Sequence, residues 1–135
     1  MKREGNKMSN VVELFRKETD ALFYKSDGYS ARELEQIVRE HIEFVVEEYN
    51  LDVLVKEVVL SGSRCRGIEH EGSDLDFVVS FSGQEREDVF FDILNEIGFE
   101  IDGVKVDINP VSEGKSGTLD EYLSEVERYL EVRRL

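Results

Sequence analysis

The sequence has 135 residues, of which 40% are hydrophobic and 36% are charged, with a net charge of −14 and a single cysteine. This length fits one domain with a true core, and the composition is not that of a disordered chain. So acidic a chain is disfavoured as a binder of nucleic acid or of an anionic membrane, since both require a basic surface. With no secretory signal and no apolar run long enough to span a membrane, we expect a cytoplasmic protein.

Residues 1–50 predict two helices. Apolar residues recur at helical spacing over 10–25, with Ser9 or Asn10 as the N-cap and Val11, Leu14, Phe15, Ala21 and Leu22 on one stripe. Ser30 and Glu33 form a capping box that opens a second amphipathic helix, which runs to about Tyr49. We expect this helical segment to pack on a core formed by residues 51–135, so that the chain is one domain.

A short apolar run over 56–60 ends abruptly in Gly62 and Ser63, which predicts a buried strand followed by a tight loop. Gly62 allows backbone angles that other residues avoid and allows a ligand to approach the main chain. Ser63 can cap a short helix, whose free N–H groups suit a phosphate. Arg64 and Arg66 follow, and their guanidinium groups suit phosphate oxygens, although in so acidic a chain each could equally pair with a neighbouring carboxylate.

Three aspartates are predicted to lie on strands. Asp74 and Asp76 are two residues apart at the start of a second apolar run, so their side chains point to one face. Asp107 lies in a later alternating run over 104–110. If these two strands are neighbours, the three carboxylates converge, and together with the Gly-Ser turn they make a Mg²⁺-assisted phosphoryl- or nucleotidyl-transfer site.

The remaining elements are predicted in chain order. Residues 80–84 are expected to be a turn, and residues 86–97 a helix that ends at Gly98. Asp102-Gly103 is a strong signal for a two-residue hairpin. Pro110 is expected to end the last strand, and Thr118 to cap a final helix to about Val132. The pattern predicts an α/β (α+β) fold, with a small mixed β-sheet flanked by α-helices.

The combination of Gly62-Ser63, Asp74-x-Asp76 at this spacing and a later strand Asp107 resembles the polymerase-beta-like nucleotidyltransferase superfamily. The form Gly-Ser-Arg-x-Arg-Gly with Ser-Asp-Leu-Asp is most similar to its bacterial minimal nucleotidyltransferases. The resemblance covers residues 56–110 well and the flanking helices loosely. It implies that Gly62 and Ser63 hold a nucleoside triphosphate, helped by Arg64 and Arg66.

The resemblance further implies that Asp74 and Asp76 bind two Mg²⁺ ions, and that Asp107 completes the metal site and helps to activate an attacking hydroxyl. The expected activity is transfer of a nucleoside monophosphate, AMP from ATP, to a hydroxyl of a protein or of a small molecule. The expected partners are a helical HEPN-type toxin, a larger fused protein, or a second copy that completes the site as a homodimer. The alternative is an antitoxin-like module that retains the fold and acts by binding its partner.

Overall fold

A computed structural model describes residues 3–23, 28–62, 74–113 and 118–134. Four helices and four strands are found in these ranges. In chain order they are α1 (Arg3–Leu22), α2 (Ala31–Glu48), β1 (Leu54–Leu60), β2 (Leu75–Ser82), α3 (Glu87–Ile97), β3 (Glu100–Ile101), β4 (Val104–Ser112) and α4 (Leu119–Arg134). None of these helices combines the length and the apolar character that crossing a bilayer requires.

The described strands form one mixed sheet in the order β1-β2-β4-β3. β1 runs antiparallel to β2, β2 runs parallel to β4, and the two-residue β3 forms an antiparallel hairpin with β4. Asp102 and Gly103 both have positive φ in that hairpin, as a two-residue turn of this kind requires. The predicted α/β fold with a small mixed sheet is therefore confirmed.

Helices cover the sheet and enclose the core. α2 packs on β1, α3 packs on β4, and α1 contacts both α4 and β1. The largest fully buried side chains come from β1, β2 and the helices: Phe77, Phe81, Phe90, Leu34, Ile42, Leu60, Leu75, Leu123 and Leu130. The capping boxes predicted at Ser30 and Thr118 are both formed. Each hydroxyl accepts from the backbone N–H three residues later, and the carboxylate of Glu33 or Glu121 accepts from the backbone N–H of the capping residue.

The predicted start of α1 was wrong, and its predicted buried face was right only in part, since Phe15 is buried and Val11 packs against the core. α1 begins at Arg3, so Ser9 and Asn10 are inside the helix. Among the side chains of α1 that the structure describes, Val12, Phe15 and Thr19 are buried, whereas Leu14 is 66% exposed. Both stripes repeat with the helical period, so periodicity alone could not choose between them. The buried face of α1 accommodates the hydroxyl of Thr19 because its Oγ1 donates a hydrogen bond to the carbonyl of Phe15 at 3.0 Å.

Two strand ends were also predicted wrongly. Residues 80–82 are not a turn but continue β2, where Ser80 pairs with Val111 of β4. Pro110 does not end the last strand, because β4 continues to Ser112. Proline is tolerated there because β3 pairs only with Val104 and Lys105, so no described strand covers that edge of β4 at Pro110.

A buried ionic network joins α1, α2 and β1. Glu35 of α2 is 6% exposed, and its Oε2 accepts from the backbone N–H of Leu60 at 2.8 Å. Its Oε1 forms ion pairs with Arg32 and, at 3.1 Å, with Arg16 of α1. Burial raises the pKa of Glu35, and the positive charge of Arg16 opposes that shift. Since Arg16 also donates to the carbonyl of Val58 at 2.7 Å, the network anchors the end of β1.

We expect Arg16→Met to lower the free energy of unfolding by about 1–3 kcal/mol, because it leaves a buried carboxylate with one cation fewer and a backbone carbonyl without its donor. The measurement is chemical denaturation at pH 7. The matched control is Arg86→Met, which removes an ion pair with Asp88 that solvent surrounds. That change should cost less than about 0.5 kcal/mol. Equal losses for the two variants would contradict the anchoring role of the buried network.

Candidate functional site

The predicted aspartates lie beside one another on adjacent strands. Asp74 directly precedes β2, Asp76 is inside β2, and Asp107 is inside β4. Asp76 is paired in register with Asp107, so the same residue position of two parallel strands carries a carboxylate. Leu75 and Phe77, which flank Asp76, are buried, so alternation along the strand directs the half-buried Asp76 to the opposite face.

The three carboxylates form one cluster. Each contributes an oxygen, and these oxygens all lie within 4.8 Å of one another. All three residues are half-buried, so the cluster is partly shielded from water but remains accessible. Lys105 Nζ lies 3.5 Å from Asp107 Oδ1, but its side chain is 65% exposed. Three carboxylates this close to one another repel each other electrostatically.

Asp76 is the electrostatic centre of the cluster. Burial raises its pKa to about 6, and the charges of Asp107 and Asp74 and a hydrogen bond with Asp107 contribute to the increase. Like charges this close disfavour simultaneous ionisation. A bound cation would reverse this effect by favouring the carboxylate form.

Gly62 borders the cluster for a steric reason. Its φ is not in the left-handed region, so the backbone freedom expected of it is not what this position requires. A Cβ added to Gly62 would instead lie 2.7 Å from the Cβ of Asp76 and closer still to its carboxylate. The neighbouring Ser61 N–H donates to the carbonyl of Asp76 at 2.8 Å, which holds the end of β1 against β2. Any larger residue at position 62 must therefore displace Asp76.

A cleft of about 490 Å³ opens from this cluster. Its floor is the end of β1 with the polar residues of β2 and β4, and its far wall consists of α3 and α4. The residues that line it are Ser61, Gly62, Asp76, Phe77, Phe91, Asn95, Asp107, Ile108, Asn109, Tyr122, Val126, Tyr129 and Leu130. A volume of this size is typical of small-molecule sites.

Comparison with protein families identifies the family to which the chain belongs. The family model described as "Nucleotidyltransferase domain" matches residues 38–131, more than two thirds of the chain. The chain belongs to the nucleotidyltransferase domain family. Comparisons with curated proteins and with solved structures gave no match. Membership supports a general nucleotidyl-transfer activity for the domain, and the matched region includes all three aspartates.

Three residues that the sequence predicted for the site of this nucleotidyltransferase domain are Ser63, Arg64 and Arg66. They lie outside the described residues, and their role as a phosphate cradle stays a prediction. Of the predicted cradle, only Gly62 is described, and it lies beside Asp76.

The sequence reasoning missed the far wall of the cleft. The hydroxyl of Tyr122 on α4 accepts from Asn109 Nδ2 at 2.8 Å, and Tyr122 lines the cleft. Asn109 is two residues beyond Asp107 on the same strand, so strand alternation alone would have directed it to the same face. Phe91 and Asn95 gave no such signal, since only the packing of α3 on β4 brings them to the cleft.

We expect Asp76→Asn to raise the melting temperature of the metal-free protein at pH 8 but not at pH 4. The pKa of Asp76 is higher in the folded state than in the unfolded state, so stability falls as the pH rises from about 4 through about 6. The asparagine removes that loss, which we put at about 1 kcal/mol because solvent screens a half-buried group. Differential scanning fluorimetry across pH 4–8 measures the effect.

The control is Asp92→Asn, which makes the same change of net charge on the exposed side of α3. A stabilisation of equal size in the control, or one that does not depend on pH, would contradict the assignment of the effect to the carboxylate cluster.

We also expect Gly62→Ala to weaken Mg²⁺ binding at least about tenfold, because the added methyl group collides with Asp76 and displaces its carboxylate. Calorimetric titration with MgCl₂ at pH 8 measures the affinity. Ser61→Ala, one residue earlier, is the control, since it removes a hydroxyl without adding bulk. Unchanged Mg²⁺ affinity in Gly62→Ala would show that the close approach to Asp76 has no role in metal binding.

Proposed function

We propose that this nucleotidyltransferase domain transfers AMP from ATP to a hydroxyl group of an acceptor, with Mg²⁺ as the cofactor. The observation that supports the proposal is the convergence of Asp74, Asp76 and Asp107 within 4.8 Å, at the end of a cleft that begins at Gly62. Three converging carboxylates offer the hard oxygen ligands that suit a divalent metal ion shared with substrate phosphates.

The residues present fit the metal. Carboxylate oxygens are the ligands that Mg²⁺ prefers. Burial, and after it the charges of Asp107 and Asp74, raise the pKa of Asp76, and a bound cation would favour its charged form. Asp74 and Asp76 would hold two ions when nucleotide is bound, and Asp107 would complete the set. The bound ions would neutralise charge that develops on the transferred phosphoryl group.

In the proposed reaction, the acceptor oxygen forms a bond to the α-phosphorus of ATP as the bond from that phosphorus to pyrophosphate breaks. The Asp107 carboxylate takes the proton of the attacking hydroxyl, and pyrophosphate leaves. Gly62 and Ser63, with Arg64 and Arg66, would bind the triphosphate and orient it for in-line attack. Positioning and charge neutralisation account for most of the catalysis of such a transfer.

The acceptor is proposed to be a hydroxyl of a protein partner, such as a HEPN-type toxin or a larger fused protein, or of a small molecule. The acidity of the chain disfavours a nucleic-acid acceptor and is compatible with a cationic one. A second copy of the chain could complete the acceptor site as a homodimer. We further propose that residues 1–50 and 51–135 act as one domain, and that the protein is cytoplasmic.

The test compares the double variant Asp74→Asn/Asp76→Asn with the wild type. We expect the wild type to bind ATP only with Mg²⁺ in calorimetry, and the variant to lose this binding and at least about 100-fold of any transfer from α-labelled ATP. The control is Asp88→Asn/Asp92→Asn, which removes two exposed carboxylates from α3 and should behave as wild type.

Binding of Mg²⁺ and ATP by the double variant with wild-type affinity would contradict the metal assignment. A wild type that binds no nucleoside triphosphate would favour the alternative function, an antitoxin-like module that acts by binding its partner.

A further inference from the structure

The far wall of the cleft presents two exposed aromatic side chains. Phe91 of α3 is 42% exposed and Tyr129 of α4 is 59% exposed, and both line the cleft. Asn95 is one turn from Phe91 on the same face of α3, while Tyr122, Val126 and Tyr129 share a face of α4. Exposed aromatic groups that converge on one cleft typically mark a binding surface rather than packing.

Charge divides the cleft into two parts. The carboxylates and Gly62 lie where the end of β1 meets β2. In the sheet, β4 lies on the other side of β2 from β1, and α3, which carries Phe91 and Asn95, packs on β4. Among the described residues that line the cleft there is no lysine or arginine. The aromatic wall is therefore unsuited to phosphate groups, which would be desolvated there without a cation. A flat, uncharged, aromatic group fits it best.

Asn95 adds a directional polar group to that wall. Its Nδ2 donates to the backbone carbonyl of Phe91 at 2.8 Å. A carbonyl oxygen only accepts hydrogen bonds, so the amide nitrogen of Asn95 must face Phe91 and its Oδ1 must face away. Because Asn95 also lines the cleft, its Oδ1 can accept a hydrogen bond from a donor on a ligand bound there.

We propose that the wall formed by α3 and α4 is the nucleobase subsite, where Phe91 and Tyr129 stack on adenine and Asn95 Oδ1 accepts a hydrogen bond from its 6-amine. This inference rests on the proposed function, because the triphosphate attached to the base must lie at the carboxylate end. The base is the aromatic, uncharged part of the nucleotide, and an exocyclic amine supplies the donor that Asn95 needs. Asn95 is then a residue that determines base specificity.

The first experiment measures, by calorimetry with Mg²⁺, the affinities for ATP and for inorganic tripolyphosphate, which has no base. We expect Phe91→Ala and Tyr129→Ala each to weaken ATP binding about tenfold and to leave tripolyphosphate binding unchanged. The controls are Ile97→Ala on α3 and Val132→Ala on α4, which remove exposed apolar side chains outside the cleft. Both controls should bind ATP as the wild type does.

The second experiment compares ATP with purine riboside triphosphate, which lacks the 6-amine. We expect the wild type to prefer ATP roughly five- to tenfold. Asn95→Leu, which removes the amide oxygen, should abolish that preference. A merely structural role for Asn95 would lower both affinities equally and leave their ratio unchanged.

The outcomes separate this inference from the proposed function. If Phe91→Ala and Tyr129→Ala leave ATP binding unchanged, or if the wild type does not distinguish ATP from purine riboside triphosphate, the base subsite is overturned while the metal site stands. If the wild type binds neither ATP nor tripolyphosphate with Mg²⁺, the proposed function fails and the base subsite fails with it.

Discussion

The site depends on the parallel pairing of β2 with β4, which aligns Asp76 with Asp107. A parallel ladder fixes which residues are opposite each other, and alternation along each strand fixes which face they occupy. A shift of either strand by one residue would turn its aspartate toward the core and a buried apolar residue toward the cleft. The buried neighbours Leu75, Phe77 and Ile108 therefore determine which face of the sheet carries the carboxylates.

The rest of the chain supports this pair from both sides. On one side, β1 brings Gly62 against Asp76, and Glu35 and Arg16 anchor the end of that strand. These two anchoring residues precede residue 38, where the match to the family model begins. On the other side, α3 and α4 form the wall of the cleft, with the hydrogen bond between Asn109 and Tyr122 joining the sheet to α4. The charged end of the cleft is thus built by strands, and its apolar end by helices.

Local signals in the sequence predicted much of this fold. The capping boxes, the Asp-Gly hairpin and the alternation around Asp76 and Asp107 each follow from neighbouring residues alone. What could not be predicted depends on tertiary context. The buried face of α1, the extension of β2 to Ser82 and the continuation of β4 through Pro110 are decided by partner elements that are distant in sequence. Glu35 is a further case, since its burial is stabilised by Arg16 on another helix and by the backbone of Leu60.

The most direct test of the account is a crystal structure with Mn²⁺ and a non-hydrolysable ATP analogue, in which anomalous scattering locates the metal directly. The account predicts an anomalous peak bonded to oxygens of Asp74, Asp76 and Asp107 and to the phosphates of the analogue, since Mn²⁺ shares the oxygen preference of Mg²⁺. A bound analogue without a peak among these three carboxylates, or with the metal coordinated elsewhere, would contradict it.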